Sequence, residues 1–326
     1  MKAKSNIYYA KLMLFGEYSI IHNSMALTIP YNHFNGELSF MLRDNYTDFD
    51  FARQSNLQLY ELLGYIRKLS KQNKLLSKFN VDAFASDLSK GMFFESGIPQ
   101  GYGVGSSGAL IAALYDKYVA NEMVHEIESH PEKWDGLKKE LAQLESFYHG
   151  TSSGIDPLNS ILNKPLLFKE NGQIQPVNIH LATKNPDFTI FLVDTGKIGK
   201  TSPLVNIYME KTQKYNENGI QVDKLNEITN HSIQSIISGS NGNFFDNLKQ
   251  LSAYQFHHFK PMIPEGFEKI WNVGLENDTF NLKLCGSGGG GFLLGFTTQF
   301  FEVRKYFKKR DVEVIPVYVK QMSANE

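Results

Sequence analysis

The stretch Pro99-Gln-Gly-Tyr-Gly-Val-Gly-Ser-Ser-Gly108 has the residue types of a phosphate-binding loop. Glycines let a backbone approach anionic oxygens closely, and successive N–H groups form a nest for them. A helix beginning at Ser106 or Ser107 would add the positive end of its dipole. The two serines suit that role or the commoner one of capping the helix. Part of the stretch, Gly103-Val-Gly-Ser-Ser-Gly108, also fits the dinucleotide pattern G-x-G-x-x-G. That pattern needs an acidic residue ending a second strand about 20 positions on. His125-Glu-Ile-Glu128 offers acids in polar, helix-like sequence instead. Two further patterns compete. Gly196-Lys-Ile-Gly-Lys-Thr201 resembles the end of a Walker A loop, but Asp194 stands where its first glycine belongs. A plain strand-to-helix turn explains it better. Gly150-Thr-Ser-Ser-Gly154 fits the nucleophile elbow of serine hydrolases, which must follow a strand. Helical periodicity precedes it here, so the geometry is wrong.

The elements that must position these residues mix strands and helices. Tyr8 to Phe15 reads as a strand, with Lys11, Met13 and Phe15 on one face. Leu and Ile at helical spacing mark residues 57–78, and Gly91 to Glu95 reads as a strand leading into the glycine loop. The run from Ser107 through Ala109 to Met123 is rich in helix formers. Leu137, Leu141 and Leu144 put an amphipathic helix over 135–148, stopped by the turn His149 to Gly154. A second half begins near residue 185 with the β-rich Phe188 to Val193. Helical patterns fill roughly 203–256, and strands at Phe280–Leu284 and Gly291–Phe296 flank the glycine cluster Gly286 to Gly291. A helix over Gln299–Lys308 and a strand over Val312–Val319 complete an α/β or α+β chain.

Composition narrows the function. The 326 residues suggest two domains at roughly 100–200 residues each. With 33 Lys+Arg against 34 Asp+Glu, the chain lacks the basic excess of a nucleic-acid binder. The one cysteine, Cys285, forms no internal disulfide, which points to a reducing compartment. The N-terminus has charge within its apolar part and no small-residue cleavage site, unlike a signal peptide. No apolar stretch approaches the ~20 residues of a membrane span. The expectation is a cytoplasmic protein acting on a small molecule, with no nucleic acid and no membrane as partner. The nine histidines show no metal-ligand spacing, and His257-His258 reads as a helix-surface or core pair.

Three of these stretches, taken in order, resemble the motifs of the GHMP kinase superfamily. Lys11-Leu-Met-Leu-Phe-Gly16-Glu17-Tyr18 is similar to the first, usually K-x-x-L-x-G-E-H. Pro99 to Gly108 is similar to the second, and Lys283-Leu-Cys-Gly-Ser-Gly-Gly-Gly-Gly291 to the third, usually K-x-T-G-A-G-G-G-G. Within the superfamily the mevalonate kinases are most alike. Glu145-Ser-Phe-Tyr-His149-Gly150-Thr-Ser-Ser153-Gly154-Ile-Asp156 resembles their E-x(4)-G-x-P-S-G-x-D, and Val193-Asp-Thr-Gly196 with Thr201 resembles their V-D-T-G…T. The chain departs from these patterns at Tyr18 (usually His), Asn23 (Gly), Gly108 (Ala), Ser152 (Pro) and Pro157 (Asn).

The resemblance implies ATP-dependent phosphorylation of the 5-hydroxyl of mevalonate; the alternatives are another kinase of the superfamily acting on phosphomevalonate or a sugar, and a catalytically silent binding protein of the same fold. Pro99, Gly101, Gly103, Val104, Gly105, Ser106, Ser107 and Gly108 would hold ATP, and Ser107 with Glu145 would hold Mg²⁺. Asp156 matches the family's base, and Lys11 the lysine beside it. Lys11, Glu17, Tyr18, Ser153, Gly154, Thr201, Gly286 and Ser287 would contact the acceptor. The implied architecture is α+β. An ATP-binding domain like ribosomal protein S5 domain 2 would cover 1–185, and a ferredoxin-like domain 186–326. The resemblance is compatible with a homodimer. Cys285 takes the usual Thr position of the third motif, which makes it a residue expected to line the active site.

Overall fold

The computed structural model describes residues 6–41, 48–119, 127–180, 187–199, 201–214 and 219–317. The first half runs β1 (Tyr8–Phe15), β2 (Ala26–Phe40), α1 (Phe49–Lys71), α2 (Val81–Ser89), β3 (Met92–Ser96) and α3 (Ser106–Tyr118). It continues through α4 (Trp134–His149), α5 (Ile155–Leu162), β4 (Leu166–Phe168) and β5 (Ile174–Pro176). The second half runs β6 (Thr189–Asp194), α6 (Thr201–Thr212), α7 (Val222–Ser238), α8 (Asn241–His258) and α9 (Glu268–Asn277). It ends with β7 (Asn281–Leu284), β8 (Phe292–Thr297), α10 (Phe300–Lys308) and β9 (Val314–Val317).

Both sheets are built from antiparallel pairs, which makes the class α+β. One sheet has β2 between β1 and β4, with β5 beyond β4 and β3 also paired to β2. The other has the order β7-β8-β6-β9. An antiparallel β3 before the glycine loop removes the dinucleotide-fold reading, which requires a parallel βαβ unit.

The chain divides into two compact units, and each interleaves distant segments. One comprises the described residues of Met1–Lys11, Asn32–Pro99 and Gly105–Asn163; the other comprises Leu12–Tyr31, Gln100–Val104 and those of Lys164–Glu326. In the first unit α3 is the core helix. Ala109, Ile111, Ala112, Ala113, Leu114 and Tyr115 are each no more than 1% exposed. A helix that is apolar all round must be enclosed by others. Here α4 covers it with Leu137, Leu141 and Leu144, all buried, and α5 packs directly against it. The α3–α5 approach depends on Gly108, since a Cβ there would lie 2.7 Å from Cβ of Asp156. In the second unit the β6–β9 sheet buries clustered phenylalanines. Phe15 stacks on Phe296 at 5.6 Å, and Phe244 meets both edge-on. Such aromatic pairs contribute about 0.5–1.5 kcal/mol each beyond the area they bury.

Several elements differ from the sequence expectation. Helix α1 starts at Phe49 because the Asp48 side chain caps it, accepting from the Phe51 N–H at 3.1 Å. It ends at Lys71 rather than 78. Helix α3 stops at Tyr118, where Val119 turns extended and bridges to Phe79; 120–126 lie outside the described residues. The strand β2 was not legible, since Pro30, Asn32, Asn35 and Gly36 interrupt its alternation. Among the described residues, no helix is long and apolar enough to cross a membrane.

Candidate active site

The chemistry-bearing residues of the first unit converge on the N-terminal ends of α3 and α5. Lys11 points inward from β1 with its side chain only 4% exposed, and its Nζ lies 2.7 Å from Oδ1 of Asp156. Asp156 is the second residue of α5, so the helix N-terminus faces its carboxylate. Pro157 follows it in the first turn, where a missing N–H costs no helical bond. Gly105 caps α3 with φ +76° and brings no side-chain hydrogen bond. The first N–H groups of α3 thus have no side-chain cap from within the helix start. Ser106 and Ser107 are therefore the first helical residues rather than its cap.

Glu145 supplies the second carboxylate from α4, and it is buried. Its Oε1 accepts from the Ser107 hydroxyl at 3.1 Å, and its Oε2 accepts from the Ser152 hydroxyl. Burial, then the negative charge of Asp156, push its pKa up to about 7, against the pull of Ser152, Ser107 and Lys11. Two carboxylates held near one ammonium form a set with room for additional positive charge. A hydroxyl and a carboxylate on Ser107 and Glu145 are hard oxygen donors, which suits Mg²⁺. Ser153 accepts from the Ile155 N–H at 3.4 Å, and the Gly154 N–H donates to Ser152 Oγ at 3.0 Å. These bonds fix the turn that presents Asp156. His149 stands outside the motif positions that mark the site in the sequence. It ends α4 four residues after Glu145, and its Nε2 lies 3.0 Å from Ser107 Oγ. The i, i+4 spacing to Glu145 was the available signal.

The second unit holds the remaining motif residues. Gly103 adopts φ +77°, and a Cβ there would lie 2.5 Å from the carbonyl oxygen of Cys285. Gly286 lies against Gly103 from the other side of the same contact, and Val104 is buried. The Gly101 carbonyl accepts from the Gly199 N–H at 3.0 Å. Glu17 and Lys283 form a buried ion pair at 2.6 Å. Tyr18 is buried in the left-handed region at φ +64°, its ring packed on Tyr208 and Phe259, and its hydroxyl donates to the Ser287 carbonyl at 2.6 Å. Glu17 and Tyr18 thus brace the third glycine loop in this unit. Asn23 takes φ +62°, the conformation that the usual glycine would supply. Thr201 opens α6, and its side chain lies outside the described residues.

No protein-family model matches the sequence, and no curated protein matches it at the sequence level. Solved structures do match, over almost the whole chain. The L. major mevalonate kinase in complex with R-mevalonate has a TM-score of 0.62 at 18% identity, covering 98% of this chain and 98% of that one. The Streptococcus pneumoniae phosphomevalonate kinase in complex with phosphomevalonate and AMPPNP has a TM-score of 0.60 at 12% identity, covering 98% and 100%. The Lactococcus lactis galactokinase complexed with galactose has a TM-score of 0.60 at 10% identity, covering 99% and 95%.

The chain has the GHMP kinase fold.

Within the GHMP kinase fold the competing motifs resolve. Gly150 to Gly154 joins two helices, and the Ser152 hydroxyl is engaged by Glu145, so no nucleophile elbow exists there. The Walker-like segment is a strand-to-helix turn between β6 and α6, closed by the Gly196 N–H donating to Asp194 Oδ1 at 2.8 Å. His258 stacks on Tyr254 at 4.4 Å and reaches the Gly219 carbonyl at 2.9 Å, a packing role. Cys285 is 1% exposed, so its thiol is enclosed in the folded chain. Iodoacetamide should label it slowly in the folded protein and quickly in denaturant, as read by mass spectrometry. Gly103→Ala should cost about 1–3 kcal/mol from the left-handed backbone and the carbonyl clash, measured as a lowered denaturant midpoint.

Proposed function

We propose that this chain is a GHMP kinase that transfers the γ-phosphoryl group of ATP to the 5-hydroxyl of mevalonate. The observation that carries the reading is the Lys11–Asp156 pair at 2.7 Å in the same unit as the Ser107–Glu145 contact at 3.1 Å. Phosphoryl transfer asks the protein to position reactants and to stabilise charge on the moving group. Backbone amides of residues 103–108 would hold the phosphates, with α3 adding its dipole. Asp156 would accept a hydrogen bond from the acceptor hydroxyl and take its proton, while Lys11 holds the carboxylate in place and attracts the transferring group. Ser107 and Glu145 would hold Mg²⁺, which when bound neutralises phosphate charge.

Mevalonate as acceptor is supported by the Glu145-to-Asp156 segment and by the recurrence of mevalonate kinases among the similar structures. Tyr18 in place of the usual His is the departure that bears on the acceptor, since its hydroxyl is spent on Ser287. We assign residues 1–185 to a nucleotide-binding domain and 186–326 to the C-terminal domain of such kinases, and place the enzyme in the cytoplasm. The remaining acceptor contacts, Ser153, Gly154, Thr201, Gly286 and Ser287, belong to the same proposal. A panel of mevalonate, phosphomevalonate, homoserine and galactose with ATP, read by mass spectrometry, tests it. Phosphorylated mevalonate as the main product is expected. Turnover of another member alone reassigns the acceptor, and no phosphorylated product from any of them overturns the reading.

A further inference from the structure

We propose that Tyr18 is a positioning residue for the nucleotide: its hydroxyl clamps the third glycine loop, and that loop backs the start of the phosphate loop. The inference deepens the kinase reading and rests on it. It puts Tyr18 on the ATP side of the reaction, whereas its motif position implies an acceptor contact. The backbone marks the residue out. Tyr18 has φ +64° and ψ −48°, and the Ser19 N–H donates to the Glu17 carbonyl across it at 2.7 Å. That is a γ-turn of the rare, positive-φ hand, which strains a residue with a bulky side chain. Such a conformation persists only where the surroundings hold it. Here the ring lies on Tyr208 and Phe259, with centroids 4.7 and 5.5 Å away, and the Tyr18 hydroxyl donates to the Ser287 carbonyl at 2.6 Å. Tyr18 is 6% exposed, so little water competes for that bond.

The neighbouring Glu17 pairs with Lys283 at 2.6 Å, so adjacent residues grip the loop at its entrance and at its middle. From there the contacts to the phosphate loop are backbone on backbone. A Cβ at Gly103 would lie 2.5 Å from the Cys285 carbonyl oxygen, and one at Gly286 would lie 2.9 Å from the Gly103 Cα. A Cβ at Gly291 would lie 2.4 Å from the Tyr102 Cα, and the Phe292 N–H donates to the Tyr102 carbonyl at 3.4 Å. Packing this close leaves no side chain to absorb movement, so a shift of the third loop carries Tyr102 and Gly103 with it. Gly103 opens the run of amides proposed to hold the ATP phosphates. Tyr18, Ser287 and Gly103 all belong to the second unit.

Tyr18→Phe keeps the ring and removes the hydroxyl. Calorimetry on the full-length variant should show AMPPNP, with Mg²⁺, binding about 3–10-fold more weakly, as the loss of one enclosed hydrogen bond allows. The KM for mevalonate should change less. Hydrogen exchange read by mass spectrometry adds a measurement that the native chain alone supplies. Coupling between sites is reciprocal, so AMPPNP should slow exchange over residues 16–24 of the native chain. In Tyr18→Phe that protection should be lost while protection at the start of α3 persists. Unchanged AMPPNP affinity in Tyr18→Phe, or a rise confined to the KM for mevalonate, overturns the assignment and leaves the kinase reading standing. A native chain that binds AMPPNP without slower exchange over residues 16–24 does the same. A native chain that binds no AMPPNP overturns both.

Discussion

Asp156→Asn is expected to lower kcat by about 10²–10⁴-fold with the fold retained, since it removes a positioned proton acceptor without changing shape. The change should fall on kcat rather than on KM for ATP. Asp156 meets Lys11 at 2.7 Å, and Lys11 is nearly enclosed, so the variant leaves a buried ammonium short of its counter-charge. Some destabilisation follows for that reason, and the double variant Lys11→Met with Asp156→Asn should recover part of it while staying inactive. Circular dichroism and the denaturant midpoint separate the two effects. An Asp156→Asn enzyme with near-normal turnover would sink the role given to this carboxylate.

Lys283→Met is expected to destabilise the protein more than any other single change named here, by about 3–5 kcal/mol. Lys283 is fully buried, pairs with Glu17 at 2.6 Å, and also donates to the Leu284 carbonyl at 2.6 Å. Removing the ammonium strands the Glu17 carboxylate in an apolar setting, where an unpaired charge is far costlier than the pair was favourable. Glu17→Gln in the same chain should restore much of the loss, because the stranded charge is then gone. Chemical denaturation of the two variants measures the difference directly. Equal stability of Lys283→Met and the native chain would show that the pair does not hold the third glycine loop.

Much of the candidate site is legible in the sequence. Lys11, Asp156, Glu145 and Ser107 could be placed by motif spacing, and the structure brings all four into one unit. Strands β1, β3, β6 and β8 were legible because their apolar runs are short and bounded by glycine or turn signals. Strand β2 was hidden by Pro30 and Gly36; Pro30 falls between the stretch paired to β4 and the stretch paired to β3. Helix α5 was hidden because a Gly- and Ser-rich turn runs straight into eight helical residues. The Glu17–Lys283 pair and the Tyr18–Ser287 bond join residues more than 260 positions apart, and no local pattern encodes that. His149 had the spacing but no partner visible in sequence; only the packing of α4 on α3 brings it to Ser107. Exposure also could not be read for Cys285, which the fold encloses.

Phosphorus NMR of the purified chain with ATP, a divalent cation and mevalonate follows the proposed phosphoryl transfer itself. The γ-phosphate resonance should be replaced one-for-one by a phosphomonoester on the mevalonate 5-oxygen, with ADP formed alongside, and Asp156→Asn should abolish this conversion on the same timescale. Unchanged ATP, or conversion to inorganic phosphate with mevalonate untouched, would contradict it.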